Sequence, residues 1–291
     1  MHLYCDRRGS GFPILCLHGH PGSAKTMAVF TDSLSHRYHT LAPDLRGYGA
    51  SQPRAPFQLE DSLSDLIDLL DAQGIERCIV LGWSLGGILA LELALRQPSR
   101  VAGLILIATA ARPVGAHPPT SWVELVYTGL GSILNVLTPA HPWVMQQLKQ
   151  RSLYRYLLGQ HTPQAYRRLA REGFWAYLGT SRHAHRALNQ ALARRYNRLG
   201  DLATITAPCL VLAGAADCHI TAQSSLETAA HLPQAESHCY ANTAHLLPWE
   251  IPDRVLDDIH NWLERHPSML QPSTGQPPTS EPFIPDPTGE V

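Results

Sequence analysis

Residues 77–93 read Arg77-Cys-Ile-Val-Leu-Gly82-Trp-Ser84-Leu-Gly86-Gly-Ile-Leu-Ala-Leu-Glu-Leu93. The apolar run at residues 78–81 is typical of a buried strand. Residues 84–97 are rich in Leu and Ala and are followed by Pro98, which is typical of a helix and its end. The residues between Gly82 and Gly86 join the two segments and fit the pattern G-x-S-x-G. The stretch therefore predicts a strand, a tight turn with Ser84 at its apex, and a helix.

A Ser at the apex of such a turn is placed to act as a nucleophile. Strand and helix pack so closely there that the flanking side chains must be missing, and Gly82 and Gly86 meet that requirement. The helix N-terminus lies behind the hydroxyl and favours negative charge that develops beside it. The pattern alone is common, but its position between a strand and a helix is specific. We therefore predict that Ser84 is the nucleophile.

Apolar runs alternate with amphipathic stretches along most of the chain. Predicted strands lie at residues 13–17, 38–42, 77–81, 101–107, 208–212 and 235–240, and predicted helices at residues 59–73, 84–97, 221–232 and 252–265. Buried parallel strands read as continuous apolar runs, and their alternation with helices predicts a sheet covered on both faces. The expected fold class is α/β, with a mostly parallel, doubly wound sheet.

The alternation stops between residues 112 and 207, where no run predicts a strand. We expect residues 1–111 and 201–266 to form one α/β core, and residues 112–200 to form a helical cap over the carboxyl edge of the sheet. The aromatic residues of this insertion either pack between its helices or face a substrate, and the sequence leaves both open. Residues 267–291, rich in Pro, Ser, Thr and Gly, are predicted to be disordered or loosely packed.

Composition narrows the partners and the location. The chain has 291 residues and a formal net charge of −1, which predicts no overall basic field for nucleic acid or an anionic membrane. No apolar stretch is long enough to span a bilayer, and the polar start lacks the apolar run of a secretory signal. The six cysteines form no CxxC pair and are typical of core thiols, which favours a reducing cytoplasm.

Three further segments resemble motifs of one protein family. The first is His18-Gly-His-Pro-Gly22, the second is Asp44-Leu-Arg-Gly-Tyr-Gly-Ala-Ser51, and the third is Ala244-His245 followed by Glu250-Ile-Pro252. With the G-x-S-x-G turn they resemble the α/β-hydrolase superfamily, in particular its capped bacterial esterases, lactonases, C–C hydrolases and cofactor-free haloperoxidases. Ala244 departs from the Gly that the family usually has before this His. The chain starts close to the family's second strand, so the resemblance implies a short or missing first strand.

The fold constrains which carboxylate assists Ser84. In α/β-hydrolases the nucleophile, the acid and the His follow in that order along the chain, and the acid lies after a later strand. Asp217 follows the predicted strand at residues 208–212 by a short loop. Asp201 precedes that strand and is expected near its other end, while residues 108–111, after the preceding strand, contain no carboxylate. We predict Asp217 as the acid.

Position also distinguishes the base among 16 histidines. His245 lies after the last predicted strand, in a loop that leads into the final helix. His238 lies within that strand and His260 within the helix, so both are expected to be structural. We predict His245 as the general base. His219 follows Asp217 by two residues, and we place it with Trp83, the neighbour of Ser84, as a candidate substrate-pocket residue.

An oxyanion needs two backbone N–H groups aimed at it. Leu85, the residue after the nucleophile, is expected to supply one, and the resemblance implies that His20 supplies the other. The His20 side chain either reaches the pocket or faces solvent, and the sequence leaves both open. His18 is expected to hold this loop in place. No Cys or His cluster accompanies His18 and His20, so we predict neither a metal nor a cofactor.

These residues predict a serine hydrolase that cleaves a small ester or lactone through an acyl-enzyme, with a small-molecule acyl compound as its substrate. Related haloalkane dehalogenases and epoxide hydrolases use Asp as the nucleophile, whereas this chain has Ser84, which favours acyl chemistry. One alternative is C–C bond hydrolysis or perhydrolysis by the same residues. Another is a ligand-sensing receptor of the same fold with slow turnover. The sequence does not predict the oligomeric state.

Overall fold

The computed structural model describes residues 1–271, which contain a seven-stranded sheet. The strands are β1 (Cys5–Arg8), β2 (Pro13–Leu17), β3 (His39–Pro43), β4 (Cys78–Trp83), β5 (Val101–Ile107), β6 (Cys209–Gly214) and β7 (Ala235–Tyr240). Their order across the sheet is β1-β3-β2-β4-β5-β6-β7. All neighbours are parallel except β1, which runs antiparallel to β3. The predicted α/β fold class is confirmed.

The six predicted strands are all present, and their bounds shift by at most two residues. The additional strand, β1, has the four residues Cys-Asp-Arg-Arg. The first strand, expected to be short or missing, is therefore present and short. It contains no apolar run because it lies at the edge of the sheet with half of its residues exposed. The criterion of a continuous apolar run therefore does not identify β1.

Helices cover both faces of the sheet. The helices of the core are α1 (Ala28–Leu34), α2 (Leu59–Ala72), α3 (Leu85–Arg96) and, after the insertion, those at Ala222–His231, Leu247–Glu250 and Pro252–Arg265. One apolar cluster packs α1 and the last helix against strand residues such as Ile14 and Leu81. The other packs α2 and α3 against residues such as Leu15 and Val80, which point to the opposite face. Alternate residues of each central strand thus serve two cores.

Between β5 and β6 the chain forms a helical insertion, defined here as residues 112–200. Its helices are α4 (Trp122–Leu137), α5 (Pro142–Arg151), α6 (Tyr154–Leu157), α7 (Pro163–Arg168), α8 (Phe174–Leu178) and α9 (Arg182–Ala193), with a π-helical turn between α7 and α8. The insertion contacts loops that follow the carboxyl ends of strands. Ser181 N–H donates to the Gly47 carbonyl at 2.8 Å after β3, and Leu246 N–H, after β7, donates to the Leu157 carbonyl at 3.0 Å.

No helix among residues 1–271 combines the length and the apolar character that a membrane crossing requires.

The segment from residue 267 differs in part from its prediction. Pro267–Leu270 forms a 3₁₀ turn, and Met269 is 2% exposed. A β-carbon at Gly103 would lie 2.5 Å from Met269 Sδ and 3.1 Å from the Trp262 ring, so the missing side chain of β5 makes room for both residues. The expectation of loose packing is therefore wrong for residues 267–270. Residues 272–291, the rest of the predicted tail, lie outside the described part of the chain.

We expect Met269→Ala to lower the free energy of unfolding by about 2–3 kcal/mol, because it removes a buried side chain and leaves a cavity under β5. Urea denaturation followed by circular dichroism measures this change. Ser268→Ala, in the same turn but exposed, is the matched control and should be nearly neutral. Equal stability of the two variants would mean that Met269 does not belong to the core.

Candidate active site

Ser84 occupies the turn between β4 and α3 in a backbone conformation that residues other than Gly rarely adopt. Its φ is +54° and its ψ is −116°. Positive φ values cost free energy for L-residues and persist only when surrounding contacts enforce them. Here Ser84 N–H donates to the Ile107 carbonyl at 2.8 Å, and the Thr109 hydroxyl donates to the Ser84 carbonyl at 2.7 Å. Ile107 is the last residue of β5 and Thr109 follows it by two residues, so the neighbouring strand and the start of its loop hold the turn.

The glycines around Ser84 allow this close approach. A β-carbon at Gly82 would lie 2.4 Å from the Gly86 carbonyl oxygen, and one at Gly86 would lie 2.0 Å from the Leu17 carbonyl oxygen. A β-carbon at Gly87 would overlap the Thr109 side chain at 2.2 Å. These contacts are with backbone or with a buried side chain, so no larger residue fits without moving a strand. The requirement inferred from the sequence for Gly82 and Gly86 is thus met by specific atoms.

The structure brings Ser84, His245 and Asp217 together in one hydrogen-bonded chain. The Ser84 hydroxyl lies 3.0 Å from His245 Nε2, and His245 Nδ1 lies 2.8 Å from Asp217 Oδ2. The carboxylate accepts at Nδ1–H, which leaves Nε2 free to accept the hydroxyl proton. All three residues are buried. This arrangement can activate a hydroxyl as a nucleophile.

The Asp217 carboxylate is itself held in place. Its second oxygen, Oδ1, accepts from the N–H groups of His219 at 2.8 Å and Ile220 at 3.0 Å. The carboxylate therefore has one oxygen for its own loop and one for His245. Asp201, by contrast, is exposed and lies within 3.3 Å of Arg198.

Two side chains support the loop that carries His245. Trp83 is buried, its ring meets the Trp249 ring edge-on at 5.2 Å, and its indole N–H donates to the His245 carbonyl at 3.2 Å. Glu250 Oε1 accepts from Ala244 N–H at 2.9 Å. Trp83 thus lies against the histidine loop, and the pocket role inferred from its place beside Ser84 stays a prediction.

The loop after β2 passes directly over Ser84. A β-carbon at Gly19 would lie 3.1 Å from Ser84 Cβ and 3.2 Å from the Trp83 carbonyl oxygen. His18 is buried below this loop, where its Nδ1–H donates to the Gly19 carbonyl at 2.8 Å and its Nε2 accepts from Leu45 N–H at 3.0 Å. Burial lowers the pKa of His18 to about 4, so the ring stays neutral and keeps Nε2 as an acceptor. His18 therefore positions the loop, as expected.

The two predicted oxyanion donors lie in segments that adjoin Ser84, one in the chain and the other in the loop that passes over it. Leu85 is the first residue of α3, directly after Ser84, and His20 follows Gly19. The His20 side chain is half-buried and not directed into solvent. Its Nδ1 and the Tyr48 hydroxyl share a hydrogen bond of 2.8 Å, and its ring meets His185 of the insertion edge-on at 4.7 Å. Burial, with a smaller contribution from the neighbouring His185, lowers the pKa of His20 to about 4.

The loop after β3 holds Tyr48 at this position. Asp44 Oδ1 accepts from Ala24 N–H at 2.6 Å and Oδ2 from Ala50 N–H at 2.7 Å. A β-carbon at Gly49, where φ is +48°, would lie 2.1 Å from Asp44 Oδ2. The first Asp and the second Gly of the DxRGxGxS motif are therefore parts of one closed loop, which places the Tyr48 ring 5.0 Å from His18 and 5.7 Å from His20.

His219 and His117 lie beside His245. The His219 ring meets the His245 ring at 4.7 Å, and its other side stacks on His117 at 5.7 Å. Burial lowers the pKa of His219 to about 3, and the neighbouring His245 contributes in the same direction. His219 is thus a neutral side chain next to His245. Sequence reasoning missed His117 and His185, because both lie in the insertion, where no motif marks them.

Within the part of the chain that the structure describes, no group of three or more His, Cys, Asp or Glu side chains could hold a metal ion.

Comparison with known proteins identifies the family. The alpha/beta hydrolase family matches residues 14–258. A 2-hydroxymuconate semialdehyde hydrolase of Pseudomonas putida is 28% identical over 88% of this chain and 88% of its own. A (lyso)-N-acylphosphatidylethanolamine lipase of Bos taurus is 35% identical, but over 45% of this chain and 42% of its own length. A solved structure of an esterase from Thermogutta terrifontis has a TM-score of 0.70 and 24% identity, and covers 90% of this chain and 93% of that one. The chain belongs to the alpha/beta hydrolase family and is a hydrolase.

Proposed function

We propose that this protein is a serine hydrolase that cleaves carboxylic esters, including lactones, of small molecules through an acyl-enzyme on Ser84. One observation carries the proposal: the hydrogen-bonded chain in which Ser84 Oγ lies 3.0 Å from His245 Nε2 and His245 Nδ1 lies 2.8 Å from Asp217 Oδ2. A Ser hydroxyl is a weak nucleophile until a base takes its proton, and this geometry supports that transfer.

In the proposed mechanism, Ser84 Oγ attacks the carbonyl carbon of the ester while His245 Nε2 takes the hydroxyl proton. The tetrahedral intermediate collapses when the bond to the alcohol oxygen breaks and His245 returns the proton to that oxygen. Water then attacks the acyl-enzyme, with His245 again as the base, and the acid leaves as Ser84 regains its proton. Asp217 orients His245 and stabilises its cationic form.

The developing oxyanion requires donors in place before the reaction. We assign this role to the N–H groups of Leu85 and His20. The proposal is supported by the close approach of the loop at Gly19 to Ser84, at 3.1 Å for a β-carbon, and by the N-terminus of α3 at Leu85. His18 and Asp44 act through that loop, since they fix its backbone by hydrogen bonds.

C–C bond hydrolysis is the second candidate. It is favoured by the relative from Pseudomonas putida, which matches nearly the whole chain and is named for a semialdehyde, not an ester. In either reaction a nucleophile, Ser84 or a water molecule, attacks a carbonyl carbon of the substrate. The geometry therefore supports both reactions. Parallel assays with p-nitrophenyl butyrate, γ-lactones and 2-hydroxymuconate semialdehyde separate the two. Turnover of the semialdehyde alone would replace the ester proposal.

We expect Ser84→Ala to abolish p-nitrophenyl butyrate hydrolysis, and phenylmethylsulfonyl fluoride to modify Ser84, which peptide mass spectrometry detects. Ser225→Ala is the matched control, because Ser225 is equally buried and its hydroxyl has no hydrogen-bond partner among the described residues. That variant should keep full activity. Slow turnover in the unchanged protein together with tight ligand binding would favour the sensing role over the enzyme.

We expect Asp217→Asn to lower kcat about 10⁴-fold, the loss that a wrong imidazole tautomer causes in serine proteases. An amide at this position can still accept from His219 and Ile220 N–H, so the loop should keep its shape. Asp201→Asn, the other Asp near β6, is the control and should leave kcat unchanged. A normal kcat in Asp217→Asn would assign the acid to another residue.

Replacement of the two adjacent imidazoles should have different kinetic effects. His245→Gln should lower kcat by about 10⁴-fold or more, because the base is lost. His219→Gln should raise KM and leave kcat within about tenfold, because a pocket side chain that touches substrate contributes to binding. Steady-state kinetics with p-nitrophenyl esters measure both parameters. An equal loss of kcat in both variants would contradict the separate roles of base and pocket residue.

A further inference from the structure

Helix α4 packs its polar side against the protein and exposes its apolar side. Its polar side chains, Glu124, Thr128, Ser132 and Asn135, recur every three or four residues and face the protein. Each has a partner there. The Thr128 hydroxyl accepts from Leu153 N–H at 2.9 Å, the Ser132 hydroxyl bonds the Tyr154 hydroxyl at 2.8 Å, and Asn135 Nδ2–H donates to the Tyr166 carbonyl at 2.7 Å. Glu124 pairs with Arg155. The polar face of this helix is thus its packed face.

The opposite face of α4 is apolar and exposed. Trp122 is 75% exposed, Leu130 60% and Leu137 71%, and Val126 and Ile133 continue the same stripe. A helix on the surface of a soluble protein normally shows the reverse pattern. Apolar patches of this kind mark an interaction surface, since water contact with them is unfavourable.

Two helices that contact α4 also expose apolar side chains. Trp143 of α5 is exposed, as are Trp175, Tyr177 and Leu178 of α8, and both helices contact α4. Trp and Tyr combine an apolar ring with a polar group, which suits them to the boundary between water and lipid. The exposed residues therefore match the composition of an interfacial surface.

Charge is divided sharply between the insertion and the core. Residues 112–200 contain 12 Lys and Arg against 2 Glu and no Asp, a formal net charge of +10, whereas the rest of the chain has 11 against 22, a charge of −11. Both carboxylates of the insertion are already paired, Glu124 with Arg155 and Glu172 with Arg168. The formal net charge of −1 conceals this separation.

A basic side chain lies directly against α4, and most of the others in the insertion are without an ion-pair partner among the described residues. Arg151, at the end of α5, lies over the Tyr127 ring of α4 at 5.4 Å, and Lys149 is exposed on the same helix. Within residues 1–271, seven basic residues of the insertion have no carboxylate within ion-pair distance: Lys149, Arg151, Arg167, Arg171, Arg182, Arg186 and Arg195. An exposed apolar helix on a strongly cationic insertion favours an anionic partner that also offers an apolar phase.

We infer that the α4 face docks this protein on an anionic lipid surface, with the apolar stripe in the acyl boundary and the basic residues on the headgroups. A second copy fits this face less well, because two insertions of charge +10 would meet and repel each other. Nucleic acid would satisfy the charge but leave Trp122, Leu130 and Leu137 in water. Lipid satisfies both features, and the inference does not rest on the proposed function.

Cosedimentation with vesicles tests the apolar half of this inference. The protein should sediment with vesicles of equal parts phosphatidylcholine and phosphatidylglycerol at low salt. Leu130→Ser and Leu137→Ser should each lower the partition coefficient about tenfold. The reason is that the transfer of one Leu side chain from water into the acyl region favours binding by roughly that factor. Leu226→Ser, an exposed Leu of the core helix at Ala222–His231, is the matched control and should bind normally. Ser84→Ala should also bind normally, which separates docking from catalysis.

Charge reversal tests the other half. Lys149→Glu combined with Arg151→Glu should lower binding to these vesicles about thirtyfold, given the contribution of each basic residue near an anionic surface. Arg7→Glu combined with Arg77→Glu makes the same change in net charge on the core and should bind normally. Thermal unfolding followed by circular dichroism confirms that each variant is folded. High salt should likewise weaken the binding of the unchanged protein to these vesicles, because it screens the electrostatic attraction.

Three results would overturn the inference. One is the absence of sedimentation with anionic vesicles at low salt. Another is equal binding to vesicles of phosphatidylcholine alone, which would remove the role of the basic residues. The third is a dimer in analytical ultracentrifugation that Leu137→Ser dissociates, which would assign the α4 face to a second copy of the chain.

Discussion

The site depends on the contact between the first turn of α3 and the end of β2. A β-carbon at Gly86 would lie 2.0 Å from the Leu17 carbonyl oxygen, so the helix can begin this close to the strand because Gly86 has no side chain. That approach leaves Ser84 at φ +54°, a conformation that is unfavourable unless the surroundings enforce it. The strain is held by hydrogen bonds to the end of β5. In this conformation the Ser84 hydroxyl lies within hydrogen-bond distance of the imidazole of His245, which follows β7 in the chain.

A second constraint links the insertion to the histidine loop. Glu250 is buried, and burial raises its pKa, yet its carboxylate accepts three N–H groups, which favour the ionised form. One oxygen accepts from Ala244, next to His245, and the other from Gly159 at 2.9 Å and Gln160 at 2.6 Å in the insertion. The residue before His245 and the backbone of the insertion are therefore joined by one side chain. A movement of the insertion at Gly159 and Gln160 would therefore change the position of the backbone next to His245.

Local pattern and topology made much of this structure predictable. The central strands are continuous apolar runs, and Asp217 and His245 are predicted from the residue order of the family that the chain resembles and from their places after β6 and β7. What the sequence could not predict depends on tertiary contact. The edge strand β1 is charged, Met269 is a lone apolar residue in a polar segment, and His117 and His185 reach the site through the packing of an insertion that has no motif. The same limit applies to Trp83, whose indole is engaged by the histidine loop.

The charge of the chain shows why averages over a sequence can mislead. A net charge of −1 argues against an overall basic field, and that argument is sound for the chain as a whole. Electrostatic attraction at a surface, however, decays within a Debye length of roughly 8–10 Å, so a partner senses the nearest face and not the sum. The sequence places 12 of the 23 basic residues but only 2 of the 24 acidic residues in the insertion. The fold turns the polar side of α4 inward, so that the apolar side chains of this helix are exposed on the basic insertion. The surface that a partner meets therefore depends on how charge is distributed along the chain and on which side of α4 faces outward.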